Sequence, residues 1–554
     1  MKKRTFPLGY DDFREVRMAD RYFVDKSMMV EEFLSCGDKV SLITRPRRFG
    51  KTLNMTMLRD FFDITKDSRD IFEGLAIMDT DYAEMINSMP VIYFTLKDCN
   101  AQTPEYLARV LCEALAQEYH RYYAIAKEEQ SRITNYALFE ELHDKISMRK
   151  ATLEELSGSV SLLEQVASEL YQKPAILLWD EYDTPIMSSH QYKYHDQISD
   201  FIANFYGSAL KGQQYLEKAL LTGIQRVAKE SIFSKLNNVI VYTTLDKDYA
   251  AYFGFTTQET KEILEYYGHT LDEGVRQMYD GYHIGGREMY NPWSILNYCK
   301  TGELRPYWVN TSSNTLIRER LKSADESFKQ DFELLVQYGE VEVALNLETS
   351  YEELKNNATL WGLFVNAGYL TVKEKTGYEL YIIRFVNREV KDEFKNIVAE
   401  SIGSDGGNFS RMVSALARCD YEKFFYNYKN IILSCTSYYD SVQNAGQFEN
   451  PYHMLTLGMM ISLDSLYQIK SNNYETGDGR ADIRMISKEP EKRAHIIIEF
   501  KCTEDVEAGA QDALEQIHEK RYAEGLRAQA PEGQILCLGI AHFKKKCAMR
   551  HEVV

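Results

Sequence analysis

The chain has 554 residues, 44% hydrophobic and 27% charged, the balance of a soluble globular protein with room for about three ordinary domains. Its formal net charge of −18 excludes a global positive field, so affinity for nucleic acid would need a local basic surface or metal ions at a site. Nine cysteines without a C-x-x-C pair exclude a disulfide framework or thiolate zinc site, and the longest apolar runs (AILLW, HIIIEF) are too short for a helical membrane span. The expectation is a cytoplasmic protein with reduced thiols; the start, MKKRTFPLGYDDF, is basic but lacks the apolar core of a secretory signal.

Residues 42–52, LITRPRRFGKT, read as an apolar strand running into a tight turn that ends Gly50-Lys51-Thr52, with a helix (LNMTMLRDFF) behind it. This is the form of a phosphate-binding loop (P-loop, Walker A). Backbone N–H groups at the helix start would face a triphosphate, Lys51 would reach its β/γ oxygens, and the Thr52 hydroxyl would take a Mg²⁺ position. The usual pattern has a second glycine five residues before Gly50, where this chain has Arg45. Arg45, Arg47 and Arg48 would neutralise phosphates of nucleotide or nucleic acid, or bridge to acidic helices.

Residues 90–96 (PVIYFTL) read as a strand and 105–127 as a helix. Residues 174–181, PAILLWDE, give a fully apolar strand followed by Asp180 and Glu181. In a phosphate-loop enzyme this is the Walker B strand: Asp180 binds the Mg²⁺ water shell and Glu181 polarises the attacking water. The plainer reading is a buried strand ending in solvated carboxylates, and the order of the two elements favours the NTPase. With further strands at 219–222 and 239–242, strands apolar on both faces and separated by helices imply a parallel sheet covered on each side.

After Thr243 the pattern changes. TTQETKEILEYYG is a helix with Thr257 as N-cap, and DGYHIGGREMYNPWSILNYC gives a turn-rich hairpin and another helix. Residues 313–360 read as helical, and 361–386 as a helix end and a hairpin turning near Lys375-Thr376-Gly377. The expected division is an ATPase-like domain over 1–245, a helical lid and winged-helix-like region over 246–400, and a third domain over 409–554, past the linker SIGSDGGN.

That last part opens with helices at 411–435 and 451–467. The strand pair GRADIRMI and AHIIIEFK, a helix containing ALEQIHEKRYAEG and the strand ILCLGIAHF follow, then a basic end, KKKCAMR. This is the order of a restriction-endonuclease-like α/β core. Glu499 and Lys501, two apart on a strand, face one side, and Asp482 joins them from the neighbouring strand. Asp482 and Glu499 would hold Mg²⁺, and Lys501 would orient or deprotonate a water attacking a phosphodiester. Glu449 is a candidate extra ligand, followed by Tyr452 and His453. The alternative is a surface Glu–Lys pair on an edge strand. For Lys544–Lys546, a solvated tail is preferred over contact with a nucleic-acid backbone.

With both constellations in view, the chain resembles a large bacterial family that fuses an AAA-ATPase-like domain to a PD-(D/E)XK nuclease-like domain. The resemblance is carried in order by YFVDKS (22–27), RPRRFGKT (45–52), PVIYFTLKD (90–98), LLWDEYDTPI (177–186), LTGIQRVAKESIFSKLNN (221–238), YDGYHIGG…YNPWS (279–294), YWVNTSSN (307–314), VNREV (386–390), ENPYHMLTLG (449–458) and GDGRADI…IIEFK (477–501). It implies nucleotide and Mg²⁺ binding at Gly50, Lys51 and Thr52, the Walker B role for Asp180 and Glu181, and a sensor role around Thr222 and Arg226. Arg226 would touch a γ-phosphate or form a structural salt bridge. Asp482, Glu499 and Lys501 match the nuclease signature, Glu449 its preceding helical acid, and Gln516 the polar residue of the next helix.

The expected function is an ATP-binding, ATP-hydrolysing protein with a Mg²⁺-dependent nuclease acting on DNA, ahead of RNA. The alternative is a nucleotide-dependent switch or interaction protein with an inactive nuclease-like domain.

Overall fold

The computed structural model describes residues 3–212, 214–227, 238–308, 325–349, 356–393, 406–435, 462–463, 466–471, 482–543 and 546–554. The chain divides into two compact units. The first is Met1–Ser312 with Val343–Ile382 and Val386–Glu389; the second is Ser313–Glu342 with Ile383–Phe385 and Val390–Val554.

The first unit is built on a parallel sheet of β1 (Val40–Thr44), β2 (Val91–Thr95), β3 (Ala175–Asp180), β4 (Leu216–Gly223) and β5 (Val239–Tyr242), in the order β2-β3-β4-β1-β5. The burial explains the order. Every residue of β1 and β3 is buried, as central strands require, whereas Ile240 on edge strand β5 is 46% exposed. Parallel neighbours need crossovers, and helices supply them: α1 (Lys51–Phe62), α2 (Pro104–Ala126), α3 (Ser159–Tyr171) and α4 (His195–Leu210). Thr103 caps α2 by accepting from Tyr106 N–H, and Pro104 occupies its first turn. At the core, Trp179 of β3 stacks on Tyr206 of α4 at 4.5 Å and meets Phe94 of β2 at 4.8 Å.

Beyond β5, strand β6 (Phe255–Thr256) leads into α5 (Thr257–Tyr267). The N-cap is Thr256, one residue earlier than expected, because the Thr256–Glu259 spacing closes a capping box: Glu259 N–H donates to Thr256 Oγ1 and Thr256 N–H to Glu259. The expected hairpin is β7 (Tyr282–Ile284) with β8 (Arg287–Tyr290), and α6 (Pro292–Thr301) follows. The 313–360 stretch is less uniformly helical than expected. Helix Glu326–Tyr338 ends at Gly339 (φ +79°), and alternating EVEVA then forms strand Glu340–Ala344. A later turn, where Thr376 N–H donates to Leu380 O, joins β9 (Leu370–Lys375) to β10 (Leu380–Phe385).

In the second unit, helices α7 (Gly406–Ala417) and α8 (Tyr421–Cys435) precede a mixed sheet. Its strands run β11 (Tyr467–Ser471), β12 (Ile483–Ser487), β13 (His495–Cys502), β14 (Ile535–Phe543) and β15 (Lys546–Val553), in that order. Only β13 and β14 are parallel, and α9 (Val506–Glu519) and α10 (Tyr522–Gln529) make the crossover. Helix α9 lies close on β14: a Cβ at Gly539 would stand 2.6 Å from Leu514 N. Of the basic run expected to be a solvated tail, Lys546 is exposed but opens a strand. From Lys546 it pairs along β14, with Phe543 opposite Lys546 and Leu536 opposite Val553, while 544–545 lie outside the described residues. The expected helix over 451–467 falls largely outside them as well.

Candidate active sites

The first site sits at the carboxyl ends of β1, β3 and β4, where an open parallel sheet leaves a crevice. Gly50 has φ +82° as it turns the loop into α1, a conformation that favours glycine. Lys51 is buried; its ammonium donates to the carbonyls of Arg45 (2.9 Å) and Pro46 (3.0 Å). Burial pulls its pKa down, opposed by the nearby Glu181 and Asp180.

Asp180 ends β3 fully buried. Its Oδ2 accepts from Thr52 Oγ1 at 2.7 Å and from Thr95 Oγ1 at 3.3 Å, and its Oδ1 accepts from Thr222 Oγ1 at 2.5 Å. Strand β4 separates β1 from β3, so Thr222 reaches this carboxylate from the intervening strand. Glu181 adopts φ +52°, and burial raises its pKa against the pull of Lys51. Asp183 accepts from Ile224 N–H (2.9 Å) and Gln225 N–H (3.0 Å), fixing the chain just beyond Thr222. Thr95 and Asp183 escaped the sequence reading. The order of the strands was the missing signal for Thr95, and the run of two acids in Asp180-Glu181 drew attention from the third at 183.

Arg45 was expected to neutralise phosphate. Its side chain is wholly buried and its Nη1 donates to the carbonyls of Thr44 (2.8 Å), Tyr242 (3.1 Å) and Thr243 (2.7 Å). It braces β1 against the end of β5, because those carbonyls end their strands beside it; burial lowers its pKa to about 10. Arg48, at φ +66°, places its guanidinium 4.7 Å from the ring centroid of Trp293. Arg226 opens a two-residue strand paired with Glu348–Thr349.

A cavity of about 660 Å³ is lined by loop residues 47–54 and Glu181 together with the apolar side chains of Leu8, Phe255, Ile263 and Trp293. Its size falls within the ~300–1,000 Å³ typical of small-molecule sites.

The second site lies between β12 and β13. Ile483 pairs with Ile498, so Asp482, one residue ahead of β12, comes beside Glu499. Asp482 Oδ2 accepts from Phe500 N–H at 2.7 Å, and Asp482 N–H donates to Glu499 Oε2 at 3.2 Å. Glu499 is pushed up to about 8, by burial first and then by the Asp482 charge; burial also raises Asp482. Glu499 and Lys501 are joined through α9: Lys501 Nζ donates to Gln516 Oε1, and Gln516 Nε2 donates to Glu499 Oε1. Tyr522, which the sequence reading passed over, hydrogen-bonds Gln516 and stands under the Arg484 guanidinium, 5.4 Å from its ring centroid. Glu449, Tyr452 and His453 lie outside the described residues.

Thr52 with Asp180, and Asp482 with Glu499, are oxygen-donor sets of the hard type that suits Mg²⁺, and a cation would offset the burial and the Asp482 charge that together raise Glu499. Among the described residues no three His, Cys, Asp or Glu side chains group closely enough to enclose a metal. No helix among them is long and apolar enough to cross a membrane.

A family model described as "Predicted AAA-ATPase" matches residues 7–233, and one described as "PD-(D/E)XK nuclease superfamily" matches residues 447–552. The chain is also similar to the "Uncharacterized protein in vnfD 5'region" of Azotobacter chroococcum mcd 1, 24% identical over 552 residues, 96% of this chain and 95% of that protein.

Proposed function

We propose that this chain, which joins an AAA-ATPase-like domain to a PD-(D/E)XK nuclease superfamily domain, hydrolyses ATP at loop 45–52 and cleaves DNA phosphodiesters at Asp482–Glu499–Lys501. The observation that carries the first half is the Thr52–Asp180 hydrogen bond at 2.7 Å, which brings together the loop hydroxyl and the strand-end carboxylate. Lys51 exchanges its carbonyl partners for phosphate oxygens, and Gly50 lets the backbone approach them. Glu181, made more basic by burial, takes the proton of the attacking water. Thr222 and Asp183 keep Asp180 and the end of β4 in place.

The second half rests on the chain Glu499–Gln516–Lys501, which holds an acid and a base at a fixed separation. Asp482 and Glu499 offer carboxylate oxygens, and Lys501 orients the water that attacks the phosphodiester. Mg²⁺ bound at either site supplies positive charge against phosphate oxygens and lowers the pKa of a coordinated water.

The test is cleavage of plasmid DNA, single-stranded DNA and RNA by the purified full chain with Mg²⁺, with and without ATP. Cutting that Lys501→Ala abolishes supports the nuclease. Inertness on every substrate removes it and leaves the nucleotide-dependent switch.

A further inference from the structure

Asn291 and Trp293 of the motif YNPWS, and Trp308 of YWVN, have no part in the chemistry above, yet their side chains reach the phosphate loop. Trp308 Nε1 donates to the Arg47 carbonyl at 3.2 Å, and Asn291 Nδ2 donates to the same carbonyl at 3.4 Å. Gly254 N–H donates to the carbonyl of Phe49 at 3.0 Å, and Arg48 rests on Trp293. Behind these contacts lies Glu389, fully buried. Its Oε1 accepts from Tyr307 N–H at 2.5 Å and Trp308 N–H at 2.6 Å, and its Oε2 accepts from Ser294 Oγ at 2.8 Å. One carboxylate therefore ties the backbone beside Trp308 to the first turn of α6, the turn that Asn291 caps through Trp293 N–H and Ser294 N–H.

The loop has a physical need for such support. Where the usual pattern has a flexible glycine it carries Arg45, whose Nη1 bonds the carbonyls at the ends of β1 and β5. Arg48 holds a left-handed φ of +66° without being glycine. A non-glycine residue in that region stays there only when its surroundings impose it. The Arg47 carbonyl is the peptide group directly before Arg48, so its two donors fix the orientation of the strained link.

We propose that Trp308, Asn291 and Glu389 are positioning residues for nucleotide binding, which act by holding the Arg47 carbonyl so that the loop N–H groups face phosphate. Trp308 and Asn291 supply the donors, and Glu389 fixes both of their platforms. This inference rests on the nucleotide reading of loop 45–52, and the experiment separates the two.

MgATP affinity is measured by calorimetry on the full chain, wild type first. Trp308→Phe keeps an aromatic ring, smaller than the indole, and removes one donor. Asn291→Asp keeps the cap and sets a carboxylate oxygen against the Arg47 carbonyl. Each weakens binding by about tenfold, the weight of one hydrogen bond, with Glu389→Gln at least as damaging. The melting point without nucleotide is recorded for all. Tyr119→Phe is the control, because its buried hydroxyl donates to Ser159 O, and it lowers stability without changing MgATP affinity. In steady state, KM for ATP rises in Trp308→Phe while kcat holds.

Wild-type affinity in both Trp308→Phe and Asn291→Asp overturns the proposal, as does an equal loss in Tyr119→Phe. If Glu389→Gln does not fold, the other two variants decide. A wild-type chain that binds no MgATP overturns the nucleotide reading itself and the positioning role with it.

Discussion

Thr52 and Asp180 stand 128 positions apart in sequence and 2.7 Å apart in space, the threonine hydroxyl donating to the carboxylate. The contact exists because β1 and β3 run parallel with one strand between them, so that both end at the same edge of the sheet. That edge is where the first chemistry is proposed to occur.

Lys51→Ala removes a buried ammonium that lines the cavity. MgATP affinity should fall by about 100-fold or more, in line with loss of charge-assisted hydrogen bonds worth about 1.5–3 kcal/mol each. Calorimetry reads this directly, and an unchanged affinity would mean the loop is not a phosphate site.

Lys501→Ala should reduce DNA cleavage by about 10²–10⁴-fold, the usual weight of a positioned proton-transfer group. Gln516→Ala should lower it too, since it unlinks Lys501 from Glu499. A time course on supercoiled plasmid with Mg²⁺ distinguishes these from an inert domain, in which neither variant differs from wild type.

Glu389 gives a pH dependence with a definite sign. Burial raises its carboxyl from 4.5 to about 7, opposed by its hydrogen-bond donors. The folded state then holds a proton that the unfolded state has released. The stabilising contribution is complete below about 4.5 and is lost as pH rises through about 7. Its span is of order 3 kcal/mol. Urea unfolding of wild type and Glu389→Gln between pH 5 and 8 should give lines that differ in slope over this window; parallel lines would place the carboxyl in an ordinary environment.

Trp179→Ala empties the centre of the first core, where the indole stacks on Tyr206 and touches Phe94 and Phe205. The loss should be about 3–5 kcal/mol, read as a lower denaturant midpoint. A loss below 1 kcal/mol would mean that the core closes over the gap.

Gly539→Ala should separate α9 from β14, because the new methyl would stand 2.6 Å from the Leu514 backbone nitrogen. Helix α9 carries Gln516, so cleavage should fall together with stability, by about 1–3 kcal/mol for the overpacking. Proteolysis and plasmid cutting measured on the same preparation test whether the two losses go together.

Much of the architecture was legible because apolar runs such as AILLW report burial on both faces, and that pattern belongs to central parallel strands. Caps were legible to within a residue: the Thr256 box lay one place from the expected Thr257, since adjacent threonines offer the same hydroxyl. Local pattern failed where pairing decides the outcome. The stretch from Lys546 resembles a tail until β14 offers it a partner. The carbonyl partners of Arg45 were not legible either, because charge is visible in sequence and the strand ends beside it are not.

By itself the amino-acid order determined the strands, the glycine turn, the paired Glu499 and Lys501, and thus which side chains are suited to phosphate and metal chemistry; hydrophobic period and residue type are local properties. Tertiary structure alone decided that Thr95 and Thr222 share Asp180, that Gln516 links Glu499 to Lys501, and that Trp308 and Asn291 reach one loop carbonyl. Those contacts join residues remote in sequence, and hydrogen bonds of about 3 Å are settled by how the strands are ordered and how the helices seat on them.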